Sequence, residues 1–392
     1  MTQDKQNKRP NVPPLRFPEF TEPWETAKLG EVVEFCNERI STSELSIDNY
    51  VSTENLLQDF QGVLPANSIP ADTNVISYKE GDILISNIRP YLRKVWKADN
   101  RGGCSTDVFV LRTKKSNCNS SFINYQIAND RFITYVMSGA KGVKMPRGDK
   151  KQMEKYSLSY PSFEEQDKIA HLLALLEQRI ALQNGLINKL ESLIGGITLS
   201  ITTSDDCESI RLSEILTERN EVNTAQYEVY SVSVSQGVVN QVEYLGRSFA
   251  AKDTSNYNVV HYGDIVYTKS PTGDFPYGIV KRSNQAKPVA VSPLYGVYIP
   301  ASNDIGCFLH YYFCNAVSTK NYLHKLIQKG AKNTINITNQ RFLENTIKLP
   351  NAEKLAIVVK LLNQLSVKKQ RAEDLLALYR KQKQHLLSQM FI

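Results

Sequence analysis

Pro161-Ser162-Phe163-Glu164-Glu165-Gln166-Asp167-Lys168-Ile169-Ala170 is the stretch from which the fold can be read. Ser162 followed three residues later by Glu165 spells a helix N-terminus with a capping box. Apolar residues then recur in steps of four and three at Ile169, Leu173, Leu176, Ile180, Ile187, Leu190, Ile194 and Ile197, with Gln183 the one polar member. That alternation, held over about four heptads, predicts a coiled-coil seam. A second series follows Pro350 and the N-cap candidate Asn351. It runs Leu355, Val358, Leu362, Leu365, Lys369, Ala372, Leu376, Tyr379, Lys383, Leu386, Met390. The competing reading is two unrelated amphipathic helices, each on its own core. Gln183 and Lys369 lie near mid-helix and are expected to meet in one polar layer. Gly185 and Gly195-Gly196 weaken the first helix by about 1 kcal/mol each relative to Ala, and are expected to end it or to admit a partner.

Working outward, the chain repeats itself once. Leu29-x-Glu31 returns as Leu212-x-Glu214, Gly81-Asp82-Ile83 as Gly263-Asp264-Ile265, Gly139-Ala140-Lys141 as Gly330-Ala331-Lys332, and Pro161 as Pro350, in the same order. Collinear markers imply a duplicated unit of about half the chain. Each half reads as a globular segment followed by a helix. Strands are expected at 75–78, 83–85, 108–111, 265–267 and 289–291, and helices at 122–136 and 308–327. The fold class is therefore α+β: two α/β globular domains in a pseudo-two-fold repeat, joined by an antiparallel pair of long coiled-coil helices. The divisions are an N-terminal segment (1–27), a first domain (28–160), a first helix (161–200), a linker with the second domain (201–349) and a second helix (350–392).

Composition fits this plan. The 392 residues are 41% apolar and 22% charged, enough for two or three ordinary domains. No apolar run is long enough to span a membrane, and the polar start reads as no signal peptide. The six cysteines form no CxxC pair, so reduced thiols and a cytoplasmic location are expected.

Signs of catalysis are missing. There is no P-loop, no dinucleotide-binding glycine motif, and no Asn/Asp-Pro-Pro-aromatic motif of the kind that amino-methyltransferases use. The five histidines make no metal-ligand pattern, and His171 and His385 read as solvated helix-surface groups. The expectation is no catalytic residue and no metal site.

Net charge is +7, and its placement matters more than its total. Residues 141–155 hold six basic against two acidic side chains; residues 319–341 hold five basic and no acidic ones. These are equivalent places in the repeat. A second matched pair follows the Gly-Asp-Ile marker: Arg89-Pro90-Tyr91-Leu92-Arg93-Lys94 in one half, Lys269-Ser270-Pro271-Thr272-Gly273-Asp274 with Lys281-Arg282 in the other. Basic groups mixed with Asn, Thr and Tyr suit phosphate contact and base-edge readout; ordinary solvated loops are the bland alternative. The candidates for DNA contact are Arg89, Tyr91, Arg93, Lys94, Lys141, Lys144, Arg147, Lys269, Thr272, Lys281, Arg282, Lys329, Lys332 and Asn333. The second long helix is basic and the first acidic, which suits their mutual attraction.

This layout resembles the specificity (S) subunit of type I restriction–modification enzymes, the HsdS family. The resemblance covers nearly the whole chain. It rests on Pro14-Leu15-Arg16-Phe17-Pro18-Glu19-Phe20, Trp24-x-x-x-x-Leu29-Gly30-Glu31, Gly81-Asp82-Ile83-Leu84, and the Pro-x-x-x-Glu-Gln-x-x-Ile pattern at Pro161–Ile169. The second copy departs from that pattern, with Lys354 and Leu355 in place of Glu165 and Gln166. The resemblance implies that each globular segment is a target recognition domain reading one half of a split double-stranded DNA site. It implies that the helices set the unread spacer, and that two modification (M) subunits dock on them, with Glu165, Gln166 and Ile169 as partner-binding residues. It further implies no cofactor in this chain: S-adenosylmethionine for adenine-N6 methylation belongs to the M subunits, ATP and Mg to two restriction (R) subunits. A coiled-coil adaptor without DNA readout, and a DNA-modifying enzyme with an unrecognised site, are the alternatives.

Overall fold

Both seams fold as long helices, α1 (Phe163–Thr203) and α2 (Ala352–Gln389), in a computed structural model that describes residues 11–114, 116–247, 250–329 and 335–392. Every seam position named above is buried or half-buried. Two units divide the chain: Met1–Leu182 with Leu376–Ile392, and Gln183–Leu375. Each therefore contains part of both helices. In the first unit Lys383 pairs with Glu177 at 2.6 Å. In the second, Lys369 pairs with Glu191 at 2.8 Å, and Gln183 Nε2 donates to the Ala372 carbonyl at 3.0 Å. Partner numbers rise on one helix as they fall on the other, so the helices run antiparallel.

Three local expectations are corrected. Gln183 and Lys369 do not bond to each other: Lys369 reaches Glu191 and its own helix neighbour Glu373, while Gln183 takes a backbone carbonyl. The glycines at 185, 195 and 196 do not end α1, which continues to Thr203 because Ile194, Ile197 and Ile201 still pack on the second unit's core. The capping box is half made. The Glu165 N–H donates to Ser162 Oγ at 3.4 Å, but the Glu165 carboxylate is taken by Arg16.

Each unit carries the same four-stranded antiparallel sheet. In the first, β1 (Val33–Phe35), β2 (Ile83–Ser86), β3 (Val95–Lys97) and β4 (Val108–Thr113) lie in the order β1-β4-β2-β3. In the second, β5 (Leu216–Glu218), β6 (Ile265–Thr268), β7 (Ile279–Arg282) and β8 (Gly296–Pro300) lie in the matching order β5-β8-β6-β7. The repeat extends to the flanks. Glu25–Lys28 pairs with Ser157–Tyr160, and Glu208–Arg211 with Thr346–Leu349. Both Leu-x-Glu markers are short helical turns in which the glutamate accepts the preceding backbone N–H, Lys28 to Glu31 and Arg211 to Glu214.

The helices expected at 122–136 and 308–327 are each two helices, Ser120–Ile127 with Asp130–Ser138 and Asn303–Cys314 with Ala316–His324. An asparagine makes each break. Asn129 Oδ1 accepts from Phe132 N at 3.0 Å, and Asn315 Oδ1 from Ser318 N at 2.9 Å. A side chain that caps a new helix ends the old one.

The first core gathers Trp24, Leu29, Ile83, Phe122, Ile169, Leu173, Met390 and Phe391 among others. The second gathers Leu212, Tyr267, Phe308, Phe313, Phe342, Leu355 and Leu362. Phe342 in the second stacks on Tyr267 and Tyr298 at 4.8 and 4.9 Å between centroids.

Candidate nucleic-acid interface

The Gly-Asp-Ile marker opens the strand that leads to the loop, β2 in one unit and β6 in the other. Gly81 and Gly263 take φ of +86° and +92°, where a Cβ is disfavoured. The next aspartate turns inward in both units. Asp82 accepts the Lys79 N–H at 2.8 Å and both prongs of Arg112 at 2.9 and 2.8 Å. Asp264 accepts the His261 N–H at 2.8 Å and both prongs of Arg219 at 2.8 and 3.0 Å. The carboxylate bonds hold Arg112 above the ordinary guanidinium value. Arg112 comes from β4, whereas Arg219 follows β5. The ion pair is kept while its arginine has changed strands.

In the first unit the two basic loops are zipped together. Arg89 N donates to the Pro146 carbonyl at 2.7 Å, Gly148 N to Asn87 at 2.7 Å, and Ile88 bridges to Arg147. A third loop joins them: Asp59 N donates to Leu92 at 3.1 Å and Phe60 N to Arg93 at 2.9 Å. Asp59, Phe60, Arg89 and Arg93 all have φ between 49° and 59°, four of the six non-glycine residues in that region among those described. Strain of this kind costs of order 1–3 kcal/mol per residue and concentrates at functional sites.

Arg89, Tyr91, Lys141, Lys144 and Arg147 are exposed in this cluster, alongside Val143 and Met145. Lys141 pairs with Asp149 at 3.1 Å and Arg147 with Asp107 at 2.9 Å. Arg93 bridges Asp59 and Asp130 at 3.0 and 2.8 Å. Lys94 donates to the Thr53 carbonyl; burial, then the neighbouring Arg89, lowers its pKa. Arg93 and Lys94 thus tie the loops to one another. The surface is less basic than its sequence because Asp59, Asp107 and Asp130 arrive from elsewhere in the chain. Exposed ion pairs are worth about 0–1 kcal/mol, so a phosphate can displace these carboxylates.

In the second unit the loop after β6 holds its shape through Phe275. Thr272 and Phe275 exchange backbone bonds at 3.1 and 2.9 Å, and Phe275 is buried. Residues 270–274 are exposed, Thr272 among them. Lys269 is half-buried; burial lowers its pKa against the opposing pull of Glu218.

Lys281 and Arg282 are corrections. They are 5% and 6% exposed on β7 and have intramolecular partners. Lys281 Nζ donates to Cys314 Sγ at 3.3 Å, and Arg282 to Asn284 and Asn303 at 2.7 Å each. Hairpin strands alternate their faces, and burial of the whole of β7 draws both residues inward. Lys332 and Asn333 lie outside the described residues. Lys329 is described by its backbone alone, in the pair Gln328–Lys329 with Ile335–Asn336.

The expected partner-binding residues are also turned inward. Glu165, Gln166 and Ile169 are at most 1% exposed. Arg16 clasps Glu165 at 2.7 Å through both prongs. Gln166 accepts from Asn119 N at 2.9 Å and donates to the Asn117 and Pro161 carbonyls at 3.0 and 2.9 Å. The Glu-Gln-x-x-Ile string is an internal latch joining the N-terminal segment, the helix start and the Asn119 cap. Sequence reading missed Asp59 and Phe60, which no local signal marks, and Asn87, a buried asparagine whose Oδ1 has no partner among the described residues.

Two α/β units thus carry the same four-stranded sheet, with an exposed polar loop at the same place, and are linked through long helices. The chain matches, over residues 21–192 and so under half of its length, the family model for the type I restriction modification DNA specificity domain. Its fold is similar to that of the S subunit of the type I restriction–modification system of M. genitalium. That match is 13% identical with a TM-score of 0.62, covering 97% of this chain and 99% of that one. A structure described as showing complex assembly and conformational transition of the type I R-M system matches at 16% identity and a TM-score of 0.50, covering 93% and 96%. The HsdS subunit of Thermoanaerobacter tengcongensis is 17% identical over 94% and 96%, with a TM-score of 0.41. No curated protein matches the chain. Among the described residues no helix is long and apolar enough to cross a membrane, and no cluster of His, Cys, Asp or Glu could hold a metal ion.

Proposed function

We propose that this chain is the DNA-recognition subunit of a type I restriction–modification complex, each unit reading one half of a bipartite target. The observation that carries this reading is the repeated loop after β2 and β6. In both units it leaves the far end of a strand that opens on an inward-facing aspartate–arginine pair, and it puts arginine and tyrosine (Arg89, Tyr91) or threonine (Thr272) into solvent. Phosphate contacts from Arg89, Lys141, Lys144 and Arg147 position the first unit, and base edges are read by polar groups between them. Lys329, Lys332 and Asn333 are proposed for the second unit beside Thr272 and Lys269.

The helices set the spacing. At ~1.5 Å per residue the 41 residues of α1 extend about 60 Å, nearly two turns of B-DNA at ~34 Å each. Leu175, Leu182, Leu186 and Leu193 lie exposed along α1 in steps of seven, four and seven, a stripe on one helix face suited to a docking M subunit. Adenine-N6 methylation with S-adenosylmethionine then belongs to two M subunits, and ATP-driven, Mg-dependent translocation and cleavage to two R subunits. This chain supplies no catalytic group and works in the cytoplasm, where the DNA is.

The test is methylome sequencing of cells expressing the chain with a matched M subunit, against a deletion control. A split motif methylated in both halves and lost on deletion is expected. Exchange of residues 28–160 for another recognition domain changes one half-site only. A confirmed complex with no motif depending on the chain overturns the reading in favour of an adaptor.

A further inference from the structure

Cys314 ends the helix Asn303–Cys314 and is the one exposed cysteine of the six. Two donors converge on its sulfur. Lys281 Nζ, from the neighbouring strand β7, lies 3.3 Å from Sγ. His310, one helical turn earlier, places Nε2 3.7 Å from the same atom. The other ring nitrogen, Nδ1, faces the Arg282 backbone N–H at 3.4 Å. A backbone N–H can only donate, so Nδ1 is the acceptor and the ring proton is on Nε2, toward the sulfur. Both neighbours therefore offer hydrogens to Sγ, and a thiolate accepts them better than a thiol.

The remaining groups around the site do not reverse this. Tyr311 on the same helix donates its hydroxyl to Asn363 of α2 at 2.9 Å, and the Arg282 guanidinium is engaged by Asn284 and Asn303. Burial alone would raise the Cys314 thiol, but His310 and Lys281 outweigh it and hold it below the ordinary thiol value. Burial instead pushes Cys36 up to about 11 and Cys104 to about 12.

DNA recognition makes no use of a thiolate. We propose that Cys314, held between His310 and Lys281, is a thiol-modification site that exchanges with small disulfides. Its Sγ attacks one sulfur of the disulfide. An Sγ–S bond forms, the disulfide S–S bond breaks, and the second sulfur leaves with the electron pair as a thiolate. Cys314 is thereby oxidised to a mixed disulfide, and the released half is reduced. The exchange removes the negative charge that the buried Lys281 faces, on the strand that follows the exposed loop 270–274.

The test treats the full chain with the aromatic disulfide dithiobis(nitrobenzoate) across a pH series and maps the product by mass spectrometry. One fast equivalent of thiolate per chain is expected, with the mixed disulfide on Cys314. At pH 6 its rate exceeds that of a cysteine of ordinary pKa several-fold, the larger thiolate fraction outweighing the lower nucleophilicity of an acidic thiol. The rate has its midpoint below that of an ordinary thiol. Cys314→Ser removes the fast phase, and Lys281→Met or His310→Gln moves the midpoint upward. A fast phase surviving in Cys314→Ser overturns the proposal. So does a wild-type midpoint in the ordinary thiol range, near 8.5, and this needs no variant to fold.

Discussion

Arg16 holds both carboxylate oxygens of Glu165 at 2.7 Å, and Glu165 is 1% exposed. A residue of the N-terminal segment thereby neutralises a carboxylate in the first turn of α1. Leaving a buried charge unpaired costs roughly 3–5 kcal/mol. Arg16→Ala is expected to destabilise the first unit by about 3 kcal/mol, whereas Arg16→Met with Glu165→Leu costs clearly less. Denaturant unfolding of the three proteins gives the coupling energy; a double variant as unstable as Arg16→Ala would show that the latch acts through packing alone.

The two inward aspartates invite a matched comparison. Asp82→Asn and Asp264→Asn each keep the shape and remove the charge facing Arg112 or Arg219. Each should cost about 2–3 kcal/mol, as expected for a buried charge-assisted pair losing one partner. Hydrogen exchange read by mass spectrometry should place the loss in the first unit for Asp82→Asn and in the second for Asp264→Asn.

Salt dependence separates surface cations from interior ones. In a complex with M subunits, Lys144→Ala and Arg89→Ala are each expected to flatten the slope of log K against log salt by ~0.9. Lys281→Met is expected to leave that slope unchanged, because its ammonium faces Cys314. Fluorescence titrations at several salt concentrations measure this, and equal slopes for all three variants would remove loop 139–149 from the DNA contact.

The leucine stripe on α1 gives a partner-specific prediction. Leu182→Asp and Leu186→Asp replace exposed side chains, so the unfolding midpoint should move little. Binding of an M subunit should weaken at least tenfold for the pair together, measured by analytical ultracentrifugation. Unaltered binding would place docking elsewhere.

Much of this was legible in the residues. The 4–3 alternation of Ile169 to Ile197 and of Leu355 to Met390 is a property of one helix face, so periodicity reports it directly. Strands such as Ile83–Ser86 and Ile265–Thr268 are short apolar runs, equally local. The candidate site was less legible. Lys281 and Arg282 read as surface cations because a charge count ignores direction, and the sequence holds no mark of a strand whose both faces are covered. Asp59 and Phe60 left no signal because their left-handed backbone is set by bonds to Leu92 and Arg93, more than thirty residues away.

By itself, the sequence determined the duplication, the paired helices and the places where polar loops interrupt the sheets, because these follow from spacing along the chain. Only the tertiary structure decided which charges face water. It turned Glu165, Gln166 and Ile169 inward against Arg16 and the Asn119 cap. It moved the arginine of the buried pair from β4 in one unit to the end of β5 in the other, and set His310 and Lys281 around Cys314. The physical reason is that desolvation and hydrogen bonding depend on neighbours in space, and those neighbours are tens to more than a hundred residues apart in the chain.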